Sequence, residues 1–142
     1  MKERGIEMDC FTWPVRVYYE DTDVGGVVYH ANYLRFMERA RTEWLRGLGF
    51  EQDVLMRAGI LFAVRSAELD FRRPGYFNQR LEVSVAVAAC SHASLMFEQE
   101  VRVVEGGQTL CGGRVRIACL DAQTLRPRRI PPDLYSEINR DA

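Results

Sequence analysis

At 142 residues, with 47% hydrophobic and 27% charged residues, the chain is long enough for one domain with a sizeable core and too apolar for a disordered one. Its formal net charge of −1 argues against a general nucleic-acid binder. No apolar run approaches the roughly 18 residues of a membrane span.

The opening MKERGIEMDCFTW carries charges where a secretion signal needs an apolar stretch, so no export is expected and the protein is placed in the cytoplasm. The four cysteines, Cys10, Cys90, Cys111 and Cys119, include no pair at the spacing of a zinc knuckle or redox motif. They are expected to be reduced packing residues.

Residues 1–12 show no clear pattern and are read as partly mobile. After Pro14, Val15, Val17 and Tyr19 alternate with Arg16, Tyr18 and Glu20, the period of a strand with one solvated face. DTDVGG reads as a turn on Gly25 and Gly26. Asn32 is the candidate N-cap of a helix over 33–47. Tyr33, Phe36, Met37, Ala40, Trp44 and Leu48 form its apolar stripe, widened by Leu34 and Leu45. Gly47 and Gly49 supply the stop.

Residues 50–59 suit a short second helix closed by Gly59. In 60–73 the apolar phase changes between Phe62/Val64 and Ala67/Leu69/Phe71, which predicts a bulge near Arg65–Ser66. PGYFNQ reads as a turn. Strands are predicted over 80–90, 94–104 and 108–120, with a kink at Gly112–Gly113. Three prolines exclude a long helix before residue 132, and Pro132 or Asp133 could start a short one. The order predicts an α+β domain over 1–142, with 121–142 as its tail: an antiparallel sheet with one dominant helix, its last four strands in a meander. A free sheet edge or face is left for a second copy.

The chemistry concentrates between residues 18 and 49. Glu20, Asp21 and Asp23 precede the glycines, and His30 and Asn32 stand at the helix start. Free amides of a first helical turn can hydrogen-bond an oxyanion, one such donor being worth about 3 kcal/mol of barrier. A nearby carboxylate can attack a carbonyl or activate water. Each residue also has a plainer reading. Asp before Gly is a common turn residue, Glu20 and Asp21 suit solvated or structural roles, and His30 suits a helix entry. His92 reads as surface. Arg126, Arg128 and Arg129 are either a solvated tail or a phosphate-binding cluster. Two histidines and scattered cysteines argue against a metal site, and no phosphate-loop or dinucleotide glycine motif is present.

The block VRVYYEDTDVGGVVYHANYLRFMERARTEWL resembles the opening of hotdog-fold acyl-CoA thioesterases of the 4-hydroxybenzoyl-CoA thioesterase superfamily, in particular the bacterial members associated with the Tol–Pal envelope system. RPRRIPPDL is similar to their basic, proline-containing ending. The resemblance implies a hotdog fold, a sheet wrapped around one central helix, in a homodimer that is often doubled to a tetramer with active sites between subunits.

It also implies hydrolysis of acyl-CoA with no cofactor, coenzyme A being part of the substrate. It assigns Asp23 as the catalytic aspartate, nucleophile or general base, and His30, through its amide first and its imidazole second, as the polarising group. Gly26 and Tyr29 are set beside the substrate, and Arg126, Arg128 or Arg129 at the coenzyme A phosphates. The acyl tail is expected to run between subunits past apolar residues of the helix or of residues 60–64. Two other readings stand beside this one: a module that docks acyl carrier protein, and a thioesterase acting on carrier-bound acyl groups.

Overall fold

A computed structural model describes residues 10–140. Five strands run β1 (Phe11–Arg16), β2 (Ile60–Phe71), β3 (Arg80–Cys90), β4 (Ser94–Val103) and β5 (Thr109–Asp121). Three helices accompany them: α1 (His30–Gly47), α2 (Gln52–Arg57) and α3 (Pro132–Ile138). The sheet is antiparallel throughout, in the order β1-β3-β4-β5-β2.

One face of the sheet is apolar because its strands alternate. Leu81, Val83 and Val85 of β3, Leu95, Phe97 and Val101 of β4, and Val115 and Ile117 of β5 are buried. Against them lies α1 with Tyr33, Phe36, Met37, Ala40 and Leu45 buried and Trp44 and Leu48 half-buried; Leu34 stays exposed. The opposite face is charged, with cross-strand pairs such as Arg102–Glu82 at 3.6 Å and Arg114–Glu98 at 3.5 Å.

The helix ends as its glycines predict. Gly49 takes φ +97°, its amide donates to the Arg46 carbonyl at 2.9 Å, and the Phe50 amide donates to Leu45 at 3.2 Å. The short helix closed by Gly59 (φ +91°) and the one starting at Pro132 also form. The bulge in β2 falls between Val64 and Ser66. All four cysteines are free thiols, and burial pushes Cys111 up to about 11.

Four expectations need correction. First, the opening strand spans Phe11–Arg16, so Phe11 and Thr12 are ordered in it, while residues 1–9 of the stretch read as mobile lie outside the described residues. Pro14 sits within the strand because β1 is a sheet edge and needs no donor on its outer side. Beyond Arg16 the alternation does not continue as a strand, because Tyr19–Asp21 turns as one 3-10 unit.

Second, the last four strands are not a simple meander. β3, β4 and β5 follow one another, but β2 pairs with β5, from Ile60↔Asp121 to Phe71↔Cys111. Residues 72–79 therefore cross from one side of the sheet to the other, passing the start of α1. Third, Gly112–Gly113 do not kink β5, which stays in register with Asp70 and Leu69. At Gly113 a Cβ would stand 2.6 Å from Leu69 Cδ2 and 3.1 Å from Met37 Cε, so the glycine lets the helix lie close on the sheet. Fourth, the tail beyond the exposed arginines is part of the domain, since Ile130 and Leu134 are buried in the core.

One buried polar residue ties helix to sheet. Gln99 donates through Nε2 to the Met37 carbonyl at 3.1 Å and accepts from Arg41 Nη1 at 2.8 Å. Burial holds the Arg41 guanidinium below its ordinary pKa, so its one side-chain partner matters. Gln99→Leu is expected to lower stability by about 1–3 kcal/mol, read as a fall in urea midpoint at unchanged slope.

Candidate active site

The sequence around the glycines folds into a short hairpin ahead of α1. The Asp23 amide donates to the Val27 carbonyl at 2.9 Å, the Gly26 amide returns to Asp23 at 3.0 Å, and Thr22 bridges to Val28. Gly26 has φ +81°, a conformation that favours glycine, and open space where a side chain would be. Asp23 is exposed, and its Oδ1 accepts from the Gly25 amide at 2.8 Å, the bond of an Asx turn.

The helix begins at His30, three residues before the expected Tyr33, with Tyr29 in the extended cap position. Asn32 is therefore not the N-cap. It lies one turn in, buried, and its Nδ2 donates to Asp21 Oδ1 at 2.8 Å. Asp21 is buried too and accepts from the Tyr18 amide through Oδ2 at 2.8 Å. That is the structural role left open for it by the sequence.

No side chain caps the first turn of α1. The Asn32 amide reaches back to the Tyr29 carbonyl at 2.8 Å, but among the described residues the His30 and Ala31 amides meet no protein acceptor. Two donors and the positive end of an 18-residue helix thus remain available.

Beside this turn opens a cavity of about 290 Å³ lined by Val28, His30, Tyr33, Phe71, Arg72 and Arg73 together with Pro74. The His30 ring packs edge-on to Phe71 at 6.1 Å and against Tyr29, itself exposed, at 4.5 Å. The crossing segment forms the far wall. Its Gly75 carbonyl accepts from the Val28 amide at 2.8 Å, and its Gly75 amide donates to the Tyr33 hydroxyl at 3.1 Å.

Arg72 and Arg73 were not singled out by sequence reasoning. Arg72 pairs with Asp70 at 3.0 Å, whereas Arg73 has no carboxylate within ion-pair distance among the described residues. The signal was the RRP run closing β2, two cations that Pro74 prevents from continuing the strand pairing.

The tail arginines lie elsewhere. Arg128 donates to the Gly59 carbonyl at 2.9 Å and pairs with Asp121 at 3.7 Å. Arg128 and Arg129 border a separate cavity of about 560 Å³ with Ile60, His92 and Tyr135. His92 is exposed, as expected, and stacks on Tyr135. Arg126 is exposed and lines neither cavity. Ile60 and Phe71 are the two ends of β2, roughly 36 Å apart along an extended strand. A single protomer therefore does not bring the arginines to His30.

The profile of the thioesterase-like superfamily matches residues 17–138. The chain belongs to this superfamily. It is 41% identical over 131 residues to the acyl-CoA thioester hydrolase YbgC of Escherichia coli, an alignment covering 92% of this chain and 96% of the relative. Among solved structures it resembles a probable thioesterase from Bartonella henselae (35% identity, TM-score 0.79, covering 86% of this chain and 99% of that one). It also resembles a 1,4-dihydroxy-2-naphthoyl-CoA thioesterase from Synechocystis (24% identity, TM-score 0.86, covering 92% and 96%), which supports the fold alone.

The architecture is accordingly the hotdog fold, and the chain is a thioester hydrolase. Among the described residues no helix is long and apolar enough to cross a membrane.

The Tyr33 hydroxyl is one of the groups that hold the far wall of the cavity in place. Tyr33→Phe leaves the buried Gly75 amide without its acceptor and is expected to cost about 1–3 kcal/mol, with faster hydrogen exchange at Gly75.

Proposed function

We propose that the protein hydrolyses an acyl-CoA thioester to a free acid and coenzyme A. The observation that carries this reading is the uncapped first turn of α1, whose His30 and Ala31 amides stand open beside a cavity and one hairpin away from an exposed carboxylate. Similarity to acyl-CoA thioester hydrolases supports coenzyme A as the carrier.

In this mechanism the thioester carbonyl oxygen sits at the helix N-terminus, bonded by the His30 amide. Amides already in place stabilise the oxyanion without reorganising. Asp23 acts from the facing turn by one of two routes. As nucleophile, its carboxylate adds to the carbonyl carbon, the C–S bond breaks with the electron pair leaving on sulfur, and water then hydrolyses the acyl anhydride. As general base, it takes a proton from water, whose oxygen adds to the carbonyl, and the tetrahedral intermediate expels the thiolate. Thiolate is a good leaving group, so neither route calls for a strong acid, a metal or a cofactor. Gly26 and Tyr29 border the path of the substrate, and the imidazole of His30 is a secondary polarising group.

The site is completed by a second copy. β2 is a sheet edge of 12 residues with Val64 and Phe71 exposed, an open template for pairing. Antiparallel pairing of two such edges sets the Ile60 end of one copy beside the Phe71 end of the other. Arg128 and Arg129 of one protomer then approach the His30 cavity of its neighbour, where they serve the coenzyme A phosphates with Arg126 at the periphery.

A small cavity of about 60 Å³ between α1 and the start of β2, mainly apolar through Trp44, Phe62, Val64 and Phe97 with Glu38 and Arg41 also in its lining, supports a place for the acyl tail. A homodimer, doubled to a tetramer, in the cytoplasm and in the service of the Tol–Pal system is part of the same proposal.

Asp23→Asn keeps shape and removes charge. Its kcat on acyl-CoA is expected to fall between about 100-fold and 10,000-fold with little change in KM, and a wild-type rate would sink the assignment. Among the described residues Arg129 makes no side-chain hydrogen bond or ion pair, so Arg129→Glu isolates the coenzyme contact. Its KM should rise about tenfold or more at constant kcat, and an unchanged KM removes it from the site. Running both variants on acyl-CoA and on acyl groups carried by acyl carrier protein identifies the carrier.

A further inference from the structure

Asp21 is a buried carboxylate that the mechanism above does not use. It is 2% exposed, and no cation lies within ion-pair distance of it among the described residues. Burying a carboxylate is costly unless its oxygens are bonded, and a position needed only for packing would be filled by an apolar side chain.

Asp21 instead collects three donors, one from the chain leaving β1 and two from the start of α1. Oδ2 accepts from the Tyr18 amide beyond β1 at 2.8 Å. Oδ1 accepts from Asn32 Nδ2 inside the first turn of α1 at 2.8 Å. Its main-chain carbonyl accepts from the Tyr29 amide, the last residue before that turn, at 2.9 Å.

The two groups assigned to the chemistry stand on either side of these bonds. Asp23 is two residues beyond Asp21, and His30 is one residue beyond Tyr29. Neither is otherwise anchored through its side chain. The Asp23 carboxylate bonds only within its own turn, to Gly25, and the His30 ring makes aromatic contacts to Tyr29 and Phe71. The hairpin bonds hold Asp23 within its own turn, and Asp21 ties that hairpin to the helix start.

We infer that Asp21 is a positioning residue, whose side chain and carbonyl clamp the Asp23 hairpin to the first turn of α1 and set the distance between the reacting carboxylate and the oxyanion-binding amides. This inference rests on the thioesterase reading of the site. It also explains the residue type. Both side-chain partners are donors, so the clamp needs an acceptor at each oxygen, which a carboxylate supplies and an amide does not. Asparagine at 21 keeps both bonds only if the Asn32 amide turns over and offers its Oδ1 instead, whereas alanine at 21 has no acceptor for either donor.

That requirement makes a reciprocal exchange informative. In D21N/N32D the amide at 21 accepts from Tyr18 through its oxygen and donates through its nitrogen to the carboxylate now at 32. Both bonds are restored with the charge moved onto the helix, where a first-turn carboxylate is favoured by the dipole.

The experiment compares wild type, D21A and D21N/N32D by acyl-CoA kinetics and by hydrogen exchange of the segment 18–32. D21A, which removes both side-chain acceptors, is expected to lower kcat about 100-fold, the scale of a 1 Å misplacement, with KM within about twofold and faster exchange at the Tyr18 and Tyr29 amides. The reciprocal variant is expected to recover both protection and most of kcat.

A wild-type kcat in D21A overturns the inference, as does a reciprocal variant that regains protection without regaining kcat. Absence of turnover in the wild type overturns the acyl-CoA reading instead. The exchange data then still judge the clamp, which fails if D21A leaves the Tyr18 and Tyr29 amides as protected as before.

Discussion

The structure depends on keeping the first turn of one helix uncapped and still. Backbone donors left without partners are normally satisfied by a capping side chain, and here none is supplied. The turn is held from outside instead. Asp21 grips Asn32 from one side, the Tyr33 hydroxyl grips the Gly75 amide on the other, and Val28 is tied to the Gly75 carbonyl just before the turn begins. The rest of the helix serves this end: its apolar stripe lies on the sheet, Gly113 permits the close approach, and Gln99 bonds the helix backbone at mid-length.

The crossing segment links fold to chemistry. Because β2 pairs with β5 while β3 belongs to the other side of the sheet, residues 72–79 must travel across, and they do so past the helix start. That detour supplies the far wall of the cavity and brings in Arg72 and Arg73. The same topology leaves β2 as a long edge, with the proposed substrate machinery divided between its two ends. In the proposed dimer, pairing of this edge with its copy brings the two ends together.

Local patterns were legible where a short stretch decides its own conformation. The Gly49 stop, the Gly59 closure, the bulge after Val64 and the three strands from Arg80 onward follow from periodicity and turn residues alone. Errors arose where a local preference met a distant partner. Asn32 has the chemistry of a cap, but its amide is claimed by Asp21, and the helix starts earlier. Gly112–Gly113 suit a kink, but the requirement comes from Met37 and Leu69 lying over the strand. PGYFNQ suits a tight turn, yet it is a crossover because β3 already has β1 and β4 as neighbours.

The sequence by itself determined most of the elements and the family, and it singled out the glycine turn and the helix behind it as the candidate site, since residue type, spacing and period-two or helical patterning are properties of short windows. Only the tertiary structure decided which carboxylate is buried and which is exposed, which strand lies at the edge, and that the tail arginines stand a strand's length from His30. Those outcomes depend on which distant segments meet, and no window of sequence contains both partners of such a contact.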